Sequence, residues 1–184
     1  MQKQKVREQV CFILDLDGYN LKGNSLRGTF YVRELGYCTH NCDYGRIAFD
    51  TGIPYRNLWT QDRKTVRHVN KYICGLPYEP DPEEEALSQD RVRDVIQRLY
   101  SKYCMGKRTL IAYKGGRVEK DILDELNIPS FNLELISCPK YDHLNTIPKI
   151  KSCGFHRSLC RKSHKKGHCS VQECHAFWRW LYDI

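Results

Sequence analysis

The chain has 184 residues, 41% of them hydrophobic, and a formal net charge of +8 at pH 7. This length and composition suffice for a folded domain with a core and exclude a disordered chain. No apolar run approaches the length of a bilayer span, and the charged first residues do not resemble a signal peptide. We therefore expect an intracellular protein of the cytoplasm or nucleus, without a membrane partner, in which residues 1–8 are flexible and residues 9–184 form a single domain.

Three strand-like segments open the chain. Residues 10–16 form a nearly continuous apolar run that ends at Asp15-Leu16-Asp17-Gly18, which is typical of a buried central strand. Residues 29–37 alternate between apolar and polar positions, and residues 47–49 make a short third strand before a turn. A helix is predicted over residues 60–72.

Helices and strands alternate in the second half of the chain. Apolar residues at steps of three and four predict a helix over residues 88–103, followed by a buried strand over residues 109–113. A Gly-Gly turn then leads into a second helix, residues 131–136 form a last strand, and a helix begins at Ser170. This order predicts an α/β fold with a mixed sheet flanked by helices.

Cysteine and histidine are concentrated between residues 153 and 175, where four of each occur. Cys153 and His156 form a C-x2-H pair, and Cys169 follows after a loop. Thiolate and imidazole ligands in short-range pairs separated by a loop are typical of tetrahedral zinc sites. Since ten cysteines without a secretory signal argue against a disulfide scaffold, we predict a structural Zn²⁺. The alternative is a set of buried thiols and solvated histidines.

The same region is basic, because residues 143–172 contain no aspartate or glutamate. A cationic surface fits the phosphate backbone of a nucleic acid, and aromatic residues such as Tyr141 and Phe155 suit stacking against single-stranded bases. A solvated lysine-rich loop is the alternative. The predicted phosphate contacts are Arg157, Arg161, Lys162, Lys165 and Lys166.

The strand order and the acidic residues resemble the ribonuclease H-like superfamily, and within it the exonucleases that cleave at 3′ ends. Those enzymes carry two acids on the first strand, one in a later helix and a final His-x4-Asp, and the acids hold two divalent ions for phosphodiester cleavage. The resemblance implies a catalytic set that would use Mg²⁺ or Mn²⁺. The matching positions are Asp15, Asp17, Glu119, His168 and Glu173.

A second resemblance, to the Maelstrom domain, covers nearly the whole chain. That ribonuclease H-like domain has mostly lost the catalytic acids and carries a Glu-Cys-His-Cys zinc set. The zinc ligands that the resemblance implies in this chain are Glu134, Cys153, His156 and Cys169. If one of these four is not used, Cys138 or His168 is the expected substitute ligand.

Three functions follow from these patterns. The leading interpretation is a nucleic-acid-binding domain, for single-stranded RNA, with zinc as a structural ion. The second is a metal-dependent 3′–5′ exonuclease or ribonuclease. Because Glu119 is longer than the aspartate found in the exonucleases, we expect such activity to be low or absent. The third is a protein-interaction module that uses its tyrosines and tryptophans to bind protein partners.

Overall fold

A computed structural model describes residues 2–148, 150, 154, 156 and 169–184. The described residues build a mixed sheet of six strands, so the expected α/β architecture with a mixed sheet and flanking helices is confirmed. The strands are β1 (Val10–Leu21), β2 (Thr29–Thr39), β3 (Tyr44–Asp50), β4 (Leu87–Ser88), β5 (Leu110–Tyr113) and β6 (Ser130–Asn132).

The strands lie in the order β4-β3-β2-β1-β5-β6. β1, β2 and β3 form an antiparallel meander, whereas β5 runs parallel to β1 and β6 runs parallel to β5. The pairing of β1 with β5 ends at Ile13 and Ala112, and β1 continues to Leu21. The edge of β1 beyond Ile13 is therefore free of β5, and this is where Asp15 and Asp17 lie.

Helices cover both faces of the sheet. They are α1 (Lys3–Gln9), α2 (Thr60–Tyr72), α3 (Val92–Tyr103), α4 (Arg117–Glu125) and α5 (Ser170–Tyr182). Leu14 and Leu16 of β1 pack with α3 and α4 on one face, whereas Ile13 packs with α5 and Tyr19 packs with α2 on the other. No helix in the described part of the chain is long and apolar enough to cross a membrane.

Two segments differ from the sequence prediction. The N-terminal residues expected to be flexible form α1, because Val6 is fully buried in the core beside α5 and Lys3 pairs with Asp183. The last predicted strand, residues 131–136, is a strand only as far as Asn132. There the Asn132 side chain accepts a hydrogen bond from the Glu134 backbone N–H, and residues 133–136 become a 3-10 helix.

Candidate functional site

Asp15 and Asp17 lie on the same face of β1, because side chains two residues apart in a strand point the same way. They lie directly across the ladder from Gly36 and Glu34 of β2, respectively. The ladder shifts register between Asp17 and Gly18, where β2 carries the additional residue Arg33. The bulge therefore lies immediately beside the two acids.

Glu119 reaches this strand from the first turn of α4. The Leu16 N–H, on the edge of β1 that β5 leaves open, donates to Glu119 Oε1 at 3.1 Å. The turn before α4 depends on Gly116, which has a φ of +53° and in which an added Cβ would lie 2.6 Å from Glu119 Oε2. Glycine at this position thus permits both the turn and the close approach of the carboxylate.

Glu173 approaches from the opposite side, on the first turn of α5. Helix α5 lies directly on β2 at Gly36, where an added Cβ would lie 2.5 Å from the Ser170 carbonyl carbon. The Ser170 N–H and hydroxyl both donate to Glu34 Oε1, at 3.0 and 2.6 Å. These contacts seat the N-terminus of α5 beside Asp15, which faces Gly36 across the ladder.

The four acids act on one another electrostatically. Burial raises the pKa of Asp15 well above its usual range, and the charges of Asp17, Glu173 and Glu119 raise it further. Burial also raises the pKa of Glu119 to about 6, with Glu173 contributing, although the Leu16 N–H opposes the shift. The predicted acids Asp15, Asp17, Glu119 and Glu173 are therefore brought together at one end of the β1 edge.

This acidic cluster has the ligand chemistry of a divalent-cation site. The Asp15 Oδ2 atom is buried and has no hydrogen-bond partner among the described residues. Burying a carboxylate oxygen without a hydrogen bond raises the free energy of the folded state, unless a cation or a proton compensates its charge. Carboxylates are also the ligands that Mg²⁺ and Mn²⁺ prefer. No three of these four acids place ligand atoms within 4.8 Å of one another, so they would have to move closer together to hold such ions.

A cleft of about 270 Å³ opens over the acidic cluster. Asp15 and Glu173 line it, together with Lys114 and Lys140. Tyr141, which the sequence suggested for stacking, also lines the cleft and packs edge-on against Phe177 at 6.5 Å between ring centroids. The cleft therefore combines carboxylates with cations and an aromatic wall.

A second group, of different ligand chemistry, lies next to the acids. Glu34, His156 and Cys169 are all buried, and each offers a ligand atom within 4.8 Å of the other two, so this group could hold a metal ion. His156 Nδ1 is 3.8 Å from Glu34 Oε2. Burial opposes a charged imidazole, but a hydrogen bond to Cys169 and the charge of Glu34 outweigh it and raise the pKa of His156.

Glu34 also belongs to a buried charge network. Arg46 binds the Oε2 atom of Glu34 and donates to Glu84 at 2.7 Å. Arg33, fully buried, makes a two-point contact with Glu84 at 3.0 and 2.7 Å. Burial raises the pKa of Glu84, but the two arginines outweigh it and hold that pKa below its usual range. A metal ion at Glu34 would therefore share this carboxylate with Arg46 and Ser170.

The group differs from the predicted zinc set in its carboxylate. Glu134 is half exposed, pairs with Lys114 at 2.8 Å and lines the cleft, so the structure brings Glu34 to His156 and Cys169 instead. The substitute ligand Cys138 is buried in the core under α5, where burial raises its thiol pKa to about 12. The other predicted residues lie outside the described part of the chain: Cys153, Phe155, Arg157, Arg161, Lys162, Lys165, Lys166 and His168.

Sequence reasoning missed Glu34. Its signal is the pair Arg33-Glu34 inside an otherwise apolar strand, since buried charges in a strand need partners. That signal marks Glu34 as unusual but does not identify His156, which is 122 residues away in the chain, as its neighbour. No protein-family model matches the chain, and no curated protein matches its sequence.

Proposed function

We propose that this protein is a metal-dependent nuclease whose substrate is a single-stranded nucleic acid. The observation that carries the proposal is the grouping of four acids along the open edge of β1, where Glu119 accepts the Leu16 N–H and a buried Asp15 oxygen lacks a hydrogen-bond partner among the described residues. Divalent ions held by such a set stabilise both the attacking and the leaving oxygen of phosphodiester cleavage.

The strand order and the positions of the acids along the chain also support this proposal. We infer a ribonuclease H-like fold, because an antiparallel meander is followed by two parallel strands and their helices. In that fold the first strand carries two of the acids and later helices carry the others. Asp15 and Asp17 on β1, Glu119 on α4 and Glu173 on α5 match this distribution.

The remaining cleft residues have roles that follow from their chemistry. Lys114 and Lys140 would bind phosphate oxygens next to the acids, and Lys114 would exchange its pairing with Glu134 for a phosphate contact. Tyr141 would pack against the terminal base, supported by Phe177. Asp15 and Glu119, whose pKa values are raised, would give up bound protons as cations enter.

We also propose that the ion of the Glu34-His156-Cys169 group is a structural zinc. One carboxylate, one imidazole and one thiolate match zinc better than magnesium or calcium. Cys153, three residues before His156, remains the predicted fourth ligand. The ion would join β2 to the start of α5 and so support the position of Glu173.

The test is cleavage of 5′-labelled single-stranded RNA and DNA in Mg²⁺ or Mn²⁺. Wild-type protein should cleave at least one of them, and Asp15→Asn should reduce the rate by about 100-fold or more, because it removes a ligand charge. Asp121→Asn is the charge-matched control, since Asp121 is exposed two residues beyond Glu119. An inactive wild type, or full activity in Asp15→Asn, would contradict the proposal.

A binding domain without cleavage is the second candidate, and the environment of Glu119 favours it. Its Oε1 already accepts the Leu16 N–H, so one of its two carboxylate oxygens is engaged before a cation arrives. Tight binding of single-stranded RNA by a wild type that cleaves nothing in either metal would support this candidate over the nuclease.

A further inference from the structure

The exposed face of α2 is cationic. Lys64, Arg67 and Lys71 lie at steps of three and four residues, which places them on one face of the helix, and all three are exposed. The opposite face carries Val66 and Val69, which are buried in the core between α2 and β1. The three cations therefore form one stripe that points away from the sheet; we call it the α2 stripe.

The residues of the α2 stripe differ from the cations on other helices in their ion pairing. Arg93 of α3 binds Glu125 at 2.6 Å, and Lys120 of α4 binds Asp124 at 2.5 Å. In contrast, the three stripe residues form no ion pair with any carboxylate in the described part of the chain. The acid of α2 itself, Asp62, is buried and accepts the backbone N–H groups of Lys22 and Gly23 at 2.9 Å each.

Exposed aromatic rings lie at both ends of the α2 stripe. Trp59, immediately before α2, is 58% exposed, and Tyr72, its last residue, is 61% exposed. Tyr72 contacts His68 at 5.1 Å between ring centroids and lies under Lys71 at 4.9 Å. Large exposed aromatics beside unpaired cations suit the bases and phosphates of a single strand.

Helix α2 covers the sheet face that bears the acids. Asp15, Asp17 and Tyr19 follow one another at two-residue steps on that face of β1. The Tyr19 hydroxyl donates to Asn70 Oδ1 of α2 at 2.6 Å. Asp17 and Tyr19 are roughly 7 Å apart along the strand, so the C-terminal end of α2, where Asn70 lies, is next to the acidic cluster.

We propose that the α2 stripe binds the phosphodiester backbone of a single-stranded nucleic acid and guides it toward the acidic cluster. Lys64 and Lys71 are about 10 Å apart along the helix axis, far enough to contact more than one phosphate. The choice of a nucleic acid rests on the proposed function, whereas the cationic stripe does not. A lipid surface fits less well, because the apolar side of α2 is buried and cannot insert into a bilayer.

The test compares two variants of equal charge change, each with three cations replaced by glutamine. The first changes Lys64, Arg67 and Lys71; the control changes Lys5, Lys102 and Lys107, which are exposed and lie outside α2. Both variants also carry Asp15→Asn, so that binding is measured without cleavage. Fluorescence anisotropy with labelled single-stranded RNA and DNA, over a series of salt concentrations, gives the affinity and its salt dependence.

The stripe variant should bind about tenfold more weakly, and the slope of log K against log salt should become shallower by about 2, since each lost contact removes about 0.7. Comparing the affinities for RNA and DNA then shows whether the 2′-hydroxyl group of the sugar contributes to binding. Equal losses in the stripe variant and the control, or no loss in either, would overturn the inference. So would lost binding to phosphatidylserine vesicles with unchanged nucleic-acid binding. A wild type that does not cleave, with binding lost only in the stripe variant, would reject the nuclease but retain the stripe.

Discussion

At the scale of single residues, burying several carboxylates close together in the acidic cluster lowers the stability of the folded protein. Asp15 and Glu119 have raised pKa values because both are desolvated beside other carboxylates. A buried carboxylate that binds protons more tightly in the folded state favours unfolding when it ionises. We therefore expect the cation-free protein to be less stable at neutral pH than in mild acid as far as these two groups are concerned.

The Glu119 carboxyl allows a quantitative test. Its pKa is about 6 in the folded protein against an ordinary value of 4.5, so between these values the folded state holds more protons and stability falls as pH rises. The full effect is about 2 kcal/mol. Glu119→Gln keeps an acceptor for the Leu16 N–H but does not titrate. It should therefore lose less stability than wild type between pH 4.5 and 6 in urea unfolding without added divalent cations.

Glu8→Gln, at an exposed position of α1, is the control and should keep the wild-type dependence on pH. If Glu119→Gln and wild type lose the same stability over this range, the carboxylate is not desolvated beside the other acids. Its place in the cluster would then be wrong.

At the scale of secondary-structure elements, the packing of α5 on β2 determines whether Glu173 lies near the other acids. The helix approaches β2 closely because Gly36 has no side chain, and the Glu34 carboxylate accepts two hydrogen bonds from Ser170. A negative charge at a helix N-terminus is also favourable to the helix dipole. One glycine and one buried carboxylate on β2 thus hold an element that lies more than 130 residues further along the chain.

The substitution Gly36→Ala tests this packing of α5 on β2. The added methyl would lie 2.5 Å from the Ser170 carbonyl carbon, so α5 must shift away from β2. Overpacking of this kind costs about 1–3 kcal/mol, and we expect that loss in the free energy of unfolding together with reduced cleavage as Glu173 moves. Wild-type stability and activity in Gly36→Ala would show that α5 does not pack on Gly36.

At the scale of the whole molecule, buried polar groups join the elements around the candidate site. Glu34 on β2, His156 and Cys169 form the group that could hold a metal, and Arg46 on β3 links it to Glu84. Removing one member of a buried charged set costs about 3–5 kcal/mol, because its partners are left uncompensated. Loss of the ion should therefore destabilise the whole fold as well as the start of α5.

Cys169→Ser should remove the metal. Wild-type protein should carry about one zinc per chain by elemental analysis, and the variant should carry none. A loss of about 3 kcal/mol would lower its melting temperature by roughly 6–12 °C. Cys42→Ser, which changes an exposed cysteine, is the control and should keep both zinc and stability. A zinc-free wild type with high stability, or full zinc in Cys169→Ser, would exclude the proposed ion.

Local patterns in the sequence were sufficient for most of the elements. The predicted helix over residues 60–72 has the bounds of α2, because the spacing of Val66 and Val69 is a property of the helix itself. The position of Asp15 and Asp17 on one face likewise follows from the two-residue repeat of a strand. N-terminal helix α1 was missed because Val6 is buried by α5, at the other end of the chain.

The sequence by itself therefore determined the elements, the acids of β1 and the cysteine and histidine candidates for a metal, since each depends on neighbouring residues. Only the tertiary structure decided that Glu34, rather than Glu134, meets His156 and Cys169, and that Glu119 and Glu173 lie near enough to raise the pKa of Asp15. Those contacts depend on the register of β2 against β1 and on the close approach of α5 over Gly36. Cross-strand register and helix packing join residues that are distant in the chain, so no local pattern specifies them.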